Sequence, residues 1–110
     1  MLEITVEFKN TILDTFKIDK PEITIGRNSK NDITIDNLAV SDRHARIAKS
    51  KGAWILEDLD STNGTFVNGR EVKQITLRGD LQVEIGKHLL LVNMPATADP
   101  NPDFSRTMKI

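Results

Sequence analysis

The sequence predicts an all-β fold, a sandwich or barrel of many short strands, on three observations. Leu2, Ile4, Val6 and Phe8 alternate with Glu3, Thr5, Glu7 and Lys9, the period of a strand with one buried face. Short apolar segments then recur at intervals of about ten residues, as in sandwiches and small barrels. Two tight-turn dipeptides, Asn68-Gly69 and Gly86-Lys87, each separate a pair of such segments. No twelve-residue window carries a convincing helical period.

Taken in order, Leu2 to Lys9 is the first strand, Asn10-Thr11 a turn, and Ile12 to Ile18 the returning partner. Ile23 with Ile25, and Ile33 with Ile35, alternate as short strands. Ala45 to Ala48, Ala53 to Leu59 and Gln74 to Leu77 are further apolar segments. Asn68-Gly69, between Phe66-Val67 and Glu71-Val72, predicts a type I′ hairpin. Gly86-Lys87, between Leu81–Ile85 and His88–Val92, suits type II′. After Asn93 the chain turns to Pro, Ala, Thr, Asp and Asn with almost nothing to bury before Phe104. The expected organisation is therefore a folded domain over residues 1–94 and a flexible C-terminal tail over 95–110.

Composition narrows the function. The 110 residues suffice for one domain, and 15 basic against 16 acidic residues leave a net charge of −1. Nucleic-acid binding usually rests on basic residues gathered on one face, whereas here they are scattered among acids, so nucleic acid is not an expected partner. With no cysteine there are no disulfides and no thiolate metal sites, and no metal or cofactor is expected. The first residues show neither a basic leader nor a long apolar run, so the expectation is a cytoplasmic chain without a membrane segment.

Three polar stretches between strands carry the chemistry: Gly26-Arg27, Ser41-Asp42-Arg43-His44 and Ser61-Thr62-Asn63-Gly64-Thr65. Arg27 offers a planar, permanently charged guanidinium that can donate paired hydrogen bonds to one phosphate. Ser41-x-x-His44 invites a nucleophile–base reading, yet no glycine-flanked serine elbow surrounds Ser41. His44 reads better as a buried scaffold residue whose ring nitrogens bond loop carbonyls. In the third stretch Asn63 and Gly64 tolerate positive φ, so the loop can present successive N–H groups and hydroxyls to an anion. It lacks the lysine and spacing of a nucleotide-hydrolysing loop. This inventory suits holding an oxyanion and is poor for chemistry on one, so no catalytic residues are assigned.

Ile25-Gly26-Arg27, Asn31-Asp32-Ile33, Val40-Ser41-x-x-His44-Ala45, the run from Asp58 through Ser61-Thr62-Asn63-Gly64-Thr65 to Asn68-Gly69, and Gly79-Asp80 followed by Ile85-Gly86 stand in a telling order. Through these five elements the chain resembles a forkhead-associated (FHA) domain over roughly residues 2 to 94. The resemblance implies a sandwich of two twisted β-sheets with recognition loops at one end. It implies a phosphothreonine in a partner protein as ligand, and so a role in Ser/Thr kinase signalling. Arg27 would be the main counter-charge to the phosphate, and Ser41 and Thr62 would donate hydroxyls. Asn63 would hold the bound peptide's backbone, with Lys30, Asp42 and Arg43 at the periphery. Gly26, His44, Gly64, Asn68 and Gly69 would be structural. A pocket for the phosphothreonine methyl group would add about 0.8 kcal/mol over phosphoserine.

One residue departs from the family pattern. Asp42 stands where basic or neutral hydrogen-bonding residues are frequent, and a carboxylate about 6 Å from the phosphate would cost roughly 0.7–3 kcal/mol. Turned away, Asp42 would pair with Arg43 or Lys30, or would favour a basic residue in the ligand. The tail holds a ligand-like stretch of its own, Phe104 to Ile110, in which a phosphorylated Thr107 would reach the pocket of this chain or of a neighbour. The alternative function is a phosphate-independent interaction or scaffold domain that uses the sandwich surface.

Overall fold

The computed structural model describes residues 2–93, which form eleven strands and no helix. The strands are β1 Leu2–Phe8, β2 Thr11–Ile18, β3 Glu22–Gly26, β4 Ile33–Thr34, β5 Ala45–Ser50, β6 Ala53–Asp58, β7 Thr65–Val67, β8 Arg70–Val72, β9 Gln74–Leu77, β10 Leu81–Ile85 and β11 His88–Asn93. A six-stranded sheet runs β2-β1-β11-β10-β7-β8 and a five-stranded one β4-β3-β5-β6-β9. The expected sandwich is therefore the architecture found. The tail over 95–110, its Thr107, Met1 and Met94 lie outside the described residues.

Alternation builds the core. Leu2, Ile4 and Val6 of β1 and Leu90 and Val92 of β11 turn inward from one sheet. Ile23, Ile25, Ile47, Trp54 and Leu56 turn inward from the other. Each such aliphatic side chain, fully buried, contributes about 1.5–3 kcal/mol. Phe8, read with the inward set, is only half-buried and stacks on the His88 ring, with centroids 4.5 Å apart. Strand β2 is an edge: a register shift opposite Val6/Glu7 leaves Leu13 as an extra residue, and Ile12 and Leu13 stay exposed.

Hairpin geometry explains the short connections. Lys9-Asn10, Lys51-Gly52, Asn68-Gly69 and Gly86-Lys87 are two-residue turns in which both residues have positive φ. That is the type I′ signature, whose twist matches that of the strands. Asn68-Gly69 is as the sequence predicts. Gly86-Lys87 is not type II′, because Lys87 has φ 69° and type II′ needs a negative angle there. The first turn sits one residue earlier than expected, with Thr11 already in β2.

Among the described strands only β3 and β4 run parallel, with Ile25 opposite Ile33 and Gly26 opposite Thr34. This short parallel pair opens two loops at the same end of the sandwich, residues 27–32 and 35–44. A third loop, residues 59–64, leaves β6 where Asp58 pairs with Ala45, the first residue of β5.

Candidate functional site

Main-chain bonds draw the three loops together. Arg27 N–H donates to the Ser41 carbonyl at 2.9 Å, and His44 N–H to the Ile25 carbonyl at 2.8 Å. The Leu59 N–H donates to the His44 carbonyl at 2.9 Å, fixing the third loop to the second. Convergence, which spacing alone does not reveal, is thus a property of the backbone.

Gly26 makes the first junction possible for a different reason than a bent backbone. A Cβ there would lie 2.2 Å from the Asp42 carbonyl oxygen, so the two loops approach too closely for any side chain. Asn31 locks the same junction: its side-chain N–H groups donate to the carbonyls of Asn28 and Asp42, both at 2.7 Å. Sequence reasoning quoted Asn31 without giving it this task. No signal in the sequence gave it, because the burial of Asn31 among polar neighbours is seen only in the fold.

His44 is fully buried, as expected of a scaffold residue, but only one of its two ring nitrogens bonds a loop carbonyl. Its Nδ1 accepts the Ser41 N–H at 3.1 Å, so the ring proton resides on Nε2. Nε2 then donates to the Gly64 carbonyl at 2.9 Å. One imidazole therefore bridges the second and third loops through main-chain groups. It forms no nucleophile–base pair with the Ser41 hydroxyl, since both ring nitrogens are engaged by main-chain groups.

Two more bonds tie these loops. The Thr62 N–H donates to Ser41 Oγ at 3.0 Å, and Asn63 Nδ2 donates to the Ala39 carbonyl at 2.9 Å. Ser41 Oγ thereby serves as an acceptor and keeps its own proton to donate. Asn63 keeps its carbonyl and a second N–H, while Thr62 touches the protein through its N–H and remains exposed.

Asp58 organises the third loop. In β6 the inward positions are Trp54, Leu56 and Asp58, so a carboxylate stands where the pattern calls for an apolar side chain. Its oxygens accept from the Ser61 hydroxyl, from the Ser61 N–H at 3.1 Å and from the Thr65 hydroxyl at 2.7 Å. Ser61 Oγ in turn accepts the Gly64 N–H at 3.0 Å. Burial alone raises the carboxyl pKa, but the Ser61 and Thr65 hydrogen bonds outweigh it and hold Asp58 below its ordinary 3.8. Positive φ falls on Asp60 (57°) and Gly64 (91°), not on Asn63. The sequence reading gave Asp58 no role, although the polar break in an alternating strand was its signal.

Arg27, Ser41, Thr62 and Asn63 therefore share one end of the sandwich, with Gly26, His44 and Gly64 beneath them. Asn68-Gly69 closes the β7–β8 hairpin. Asp42 pairs with neither Arg43 nor Lys30. Its Oδ1 instead accepts from Arg27 Nη2 at 3.4 Å, and both groups are substantially exposed. Among the described residues no group of three or more His, Cys, Asp or Glu is placed to hold a metal ion, and no helix is long and apolar enough to cross a membrane.

Comparison with known proteins agrees with this geometry. An oxoglutarate dehydrogenase inhibitor of Corynebacterium diphtheriae is 37% identical over 76 residues, covering 69% of this chain and 53% of that protein. The glycogen accumulation regulator GarA of Mycolicibacterium smegmatis is also 37% identical over 76 residues, covering 69% of this chain and 48% of its own length. The chain thus spans about half the length of the curated relatives it matches. Among solved structures, one from a study of phosphothreonine-dependent FHA domain interactions superposes with a TM-score of 0.77 at 26% identity, over 86% of this chain and 96% of that one. The FHA domain of a Chlamydia trachomatis protein gives 0.77 at 28%, over 86% and 98%. The family profile of the FHA domain matches residues 23–86, more than half the chain, and the protein belongs to the forkhead-associated (FHA) domain family.

Proposed function

We propose that the loop end binds a phosphothreonine-containing segment of a partner protein and that the domain, residues 1–94, acts by docking rather than by turnover. The observation that carries this reading is the set Arg27, Ser41, Thr62 and Asn63, brought to one end by loops already tied to each other. The phosphate brings close to two charges and three acceptor oxygens. Arg27 supplies the counter-charge, and the hydroxyls of Ser41 and Thr62 donate to two of those oxygens. Charge-assisted bonds of about 1.5–3 kcal/mol each then separate a phosphorylated segment from an unmodified one. The free half of the Asn63 amide reads the peptide main chain and sets its register.

The relatives support a docking role, since one is named an enzyme inhibitor and another a regulator of glycogen accumulation. By that analogy this chain responds to a Ser/Thr kinase through the partner it holds, and a cytoplasmic setting fits such a role. The test is calorimetric titration with an oriented phosphothreonine library, its best peptide and the unphosphorylated counterpart. Arg27→Ala should weaken the phosphopeptide by at least about tenfold, the equivalent of 1.4 kcal/mol. Unchanged affinity in Arg27→Ala would assign partner contact to the sandwich surface instead.

A further inference from the structure

Among the described residues the outer face of the six-stranded sheet is left uncovered, since the second sheet packs on its inner face and no helix is present. The strand register draws one continuous row of side chains across that face. Ile12 stands opposite Glu7, Glu7 opposite Leu89, and Leu89 opposite Glu84. Glu84 then stands opposite Phe66, and Phe66 opposite Glu71. Paired residues of neighbouring antiparallel strands point to the same side, so apolar and acidic side chains alternate along a line through all six strands. Ile12 is 63% exposed, Leu89 and Phe66 are half-buried, and Leu91, two residues along β11, widens the apolar stripe. Glu7, Glu84 and Glu71 form no ion pair among the described residues. Lys9 and Lys87, in the turns beside the row, form none either. Glu3 and Lys17 pair in register in a separate row at the far end, so the strands turn four acids and one cation outward.

A row with that spacing selects its occupant. Adjacent strands lie about 4.8 Å apart, so acids recur about every 9.6 Å. In an α-helix a step of three to four residues advances about 5.3 Å, close to one strand spacing. An extended segment returns to the same face only every ~6.7 Å and falls out of step. A second copy of this domain would bring the same acids to the contact, and an anionic lipid surface would be repelled. We propose that this outer face docks a basic amphipathic helix of a partner protein, laid across the strands with apolar and cationic side chains alternating every three to four residues. The apolar side chains pack on Ile12, Leu89 and Phe66, and the lysines or arginines meet Glu7, Glu84 and Glu71. Five strand gaps, about 24 Å, correspond to about sixteen residues of helix. The surface is separate from the loop end and does not depend on the phosphothreonine reading.

The experiment titrates the isotope-labelled full chain with a synthetic helical peptide of about 18 residues, in which leucine and lysine alternate every three to four positions and alanine or glutamine fills the rest. A scrambled peptide of the same composition and one with glutamate in place of lysine serve as comparisons. Saturable binding is expected for the first peptide alone, with the largest amide shifts at Glu7, Phe66, Glu84 and Leu89. Glu7→Gln/Glu84→Gln should weaken it about fivefold, as the loss of two exposed ion pairs allows. Ile12→Gln should weaken it about threefold through lost apolar contact. In Glu7→Lys/Glu84→Lys the preference should turn to the glutamate peptide, while all three variants bind a phosphothreonine peptide as the parent does. Equal binding of the scrambled peptide, shifts centred on the three loops, affinity that survives Glu7→Gln/Glu84→Gln, or no saturation at about 1 mM would overturn the proposal. Self-association of the chain, abolished by these same variants, would overturn it too and assign the face to a second copy.

Discussion

Arg27 and Asp42 form an ion pair across the junction of the first two loops, with Nη2 3.4 Å from Oδ1. The side chains are 37% and 68% exposed, so the pair is loose and water-screened. It therefore does little for stability and much for availability: the guanidinium proposed to meet the phosphate already has an acid beside it.

Replacing that acid should help the ligand. Asp42→Asn keeps the size of the side chain while removing both the competition for Arg27 and the repulsion of the phosphate. A gain of about 1 kcal/mol, or roughly fivefold, is expected for a phosphothreonine peptide with uncharged flanks. Calorimetry on parent and variant measures it, and weaker binding would show that Asp42 selects the ligand instead.

Gly26→Ala tests the close approach of the loops. A methyl group 2.2 Å from the Asp42 carbonyl forces the main chain apart, at a cost of about 1–3 kcal/mol. Stability to urea and phosphopeptide affinity should fall together, although no group proposed to touch the ligand has been altered. Affinity preserved at reduced stability would separate the junction from recognition.

His44→Ala removes both halves of the imidazole bridge, leaving the Gly64 carbonyl without this partner in a buried place and the Ser41 N–H without it in a partly buried one. Stability should drop by about 2–4 kcal/mol, from two orphaned polar groups and a cavity. The amide resonances of Ser41 and Gly64 should shift most. A loss confined to affinity, with stability intact, would argue against the bridging role.

Asp58 sets an acid limit. Its carboxyl pKa in the folded chain lies below its ordinary value, so the carboxylate stabilises the fold fully above about pH 4. That contribution is lost as pH falls through the folded value, when Ser61 and Thr65 must donate to a neutral acid. Urea midpoints measured from about pH 5 down to about pH 2 should decline less steeply in Asp58→Asn than in the parent. Equal slopes would place the acid sensitivity elsewhere.

The order and identity of the strands were legible because Leu2, Ile4 and Val6, Ile23 and Ile25, and Trp54 and Leu56 alternate without ambiguity. Turn type was less so. Lys87 takes a left-handed conformation that a lysine does not advertise, whereas Asn68-Gly69 does. The residues proposed to meet the ligand, with Gly26, His44 and Gly64 beneath them, could be named from motif order, but the tasks of Asn31 and Asp58 could not. Asn31 and Asp58 act across 11 and 7 residues of chain, and such partnerships depend on where loops land in space. The partner of Asp42 was misread for the same reason, since Arg27, fifteen residues distant, is brought beside it by the close approach at Gly26 and the bonds that join the two loops.

The bond from the Thr62 N–H to Ser41 Oγ, together with the His44 bridge, bears on how quickly the domain can work. Loops already fastened to one another lose little freedom when a peptide arrives, so association needs no slow rearrangement. Encounter should then proceed at the ordinary rate for a preformed surface, with sequence differences among partners expressed as residence time. A receptor of this kind reports the phosphorylation state of its partners promptly and lets go at a pace set by the peptide it holds.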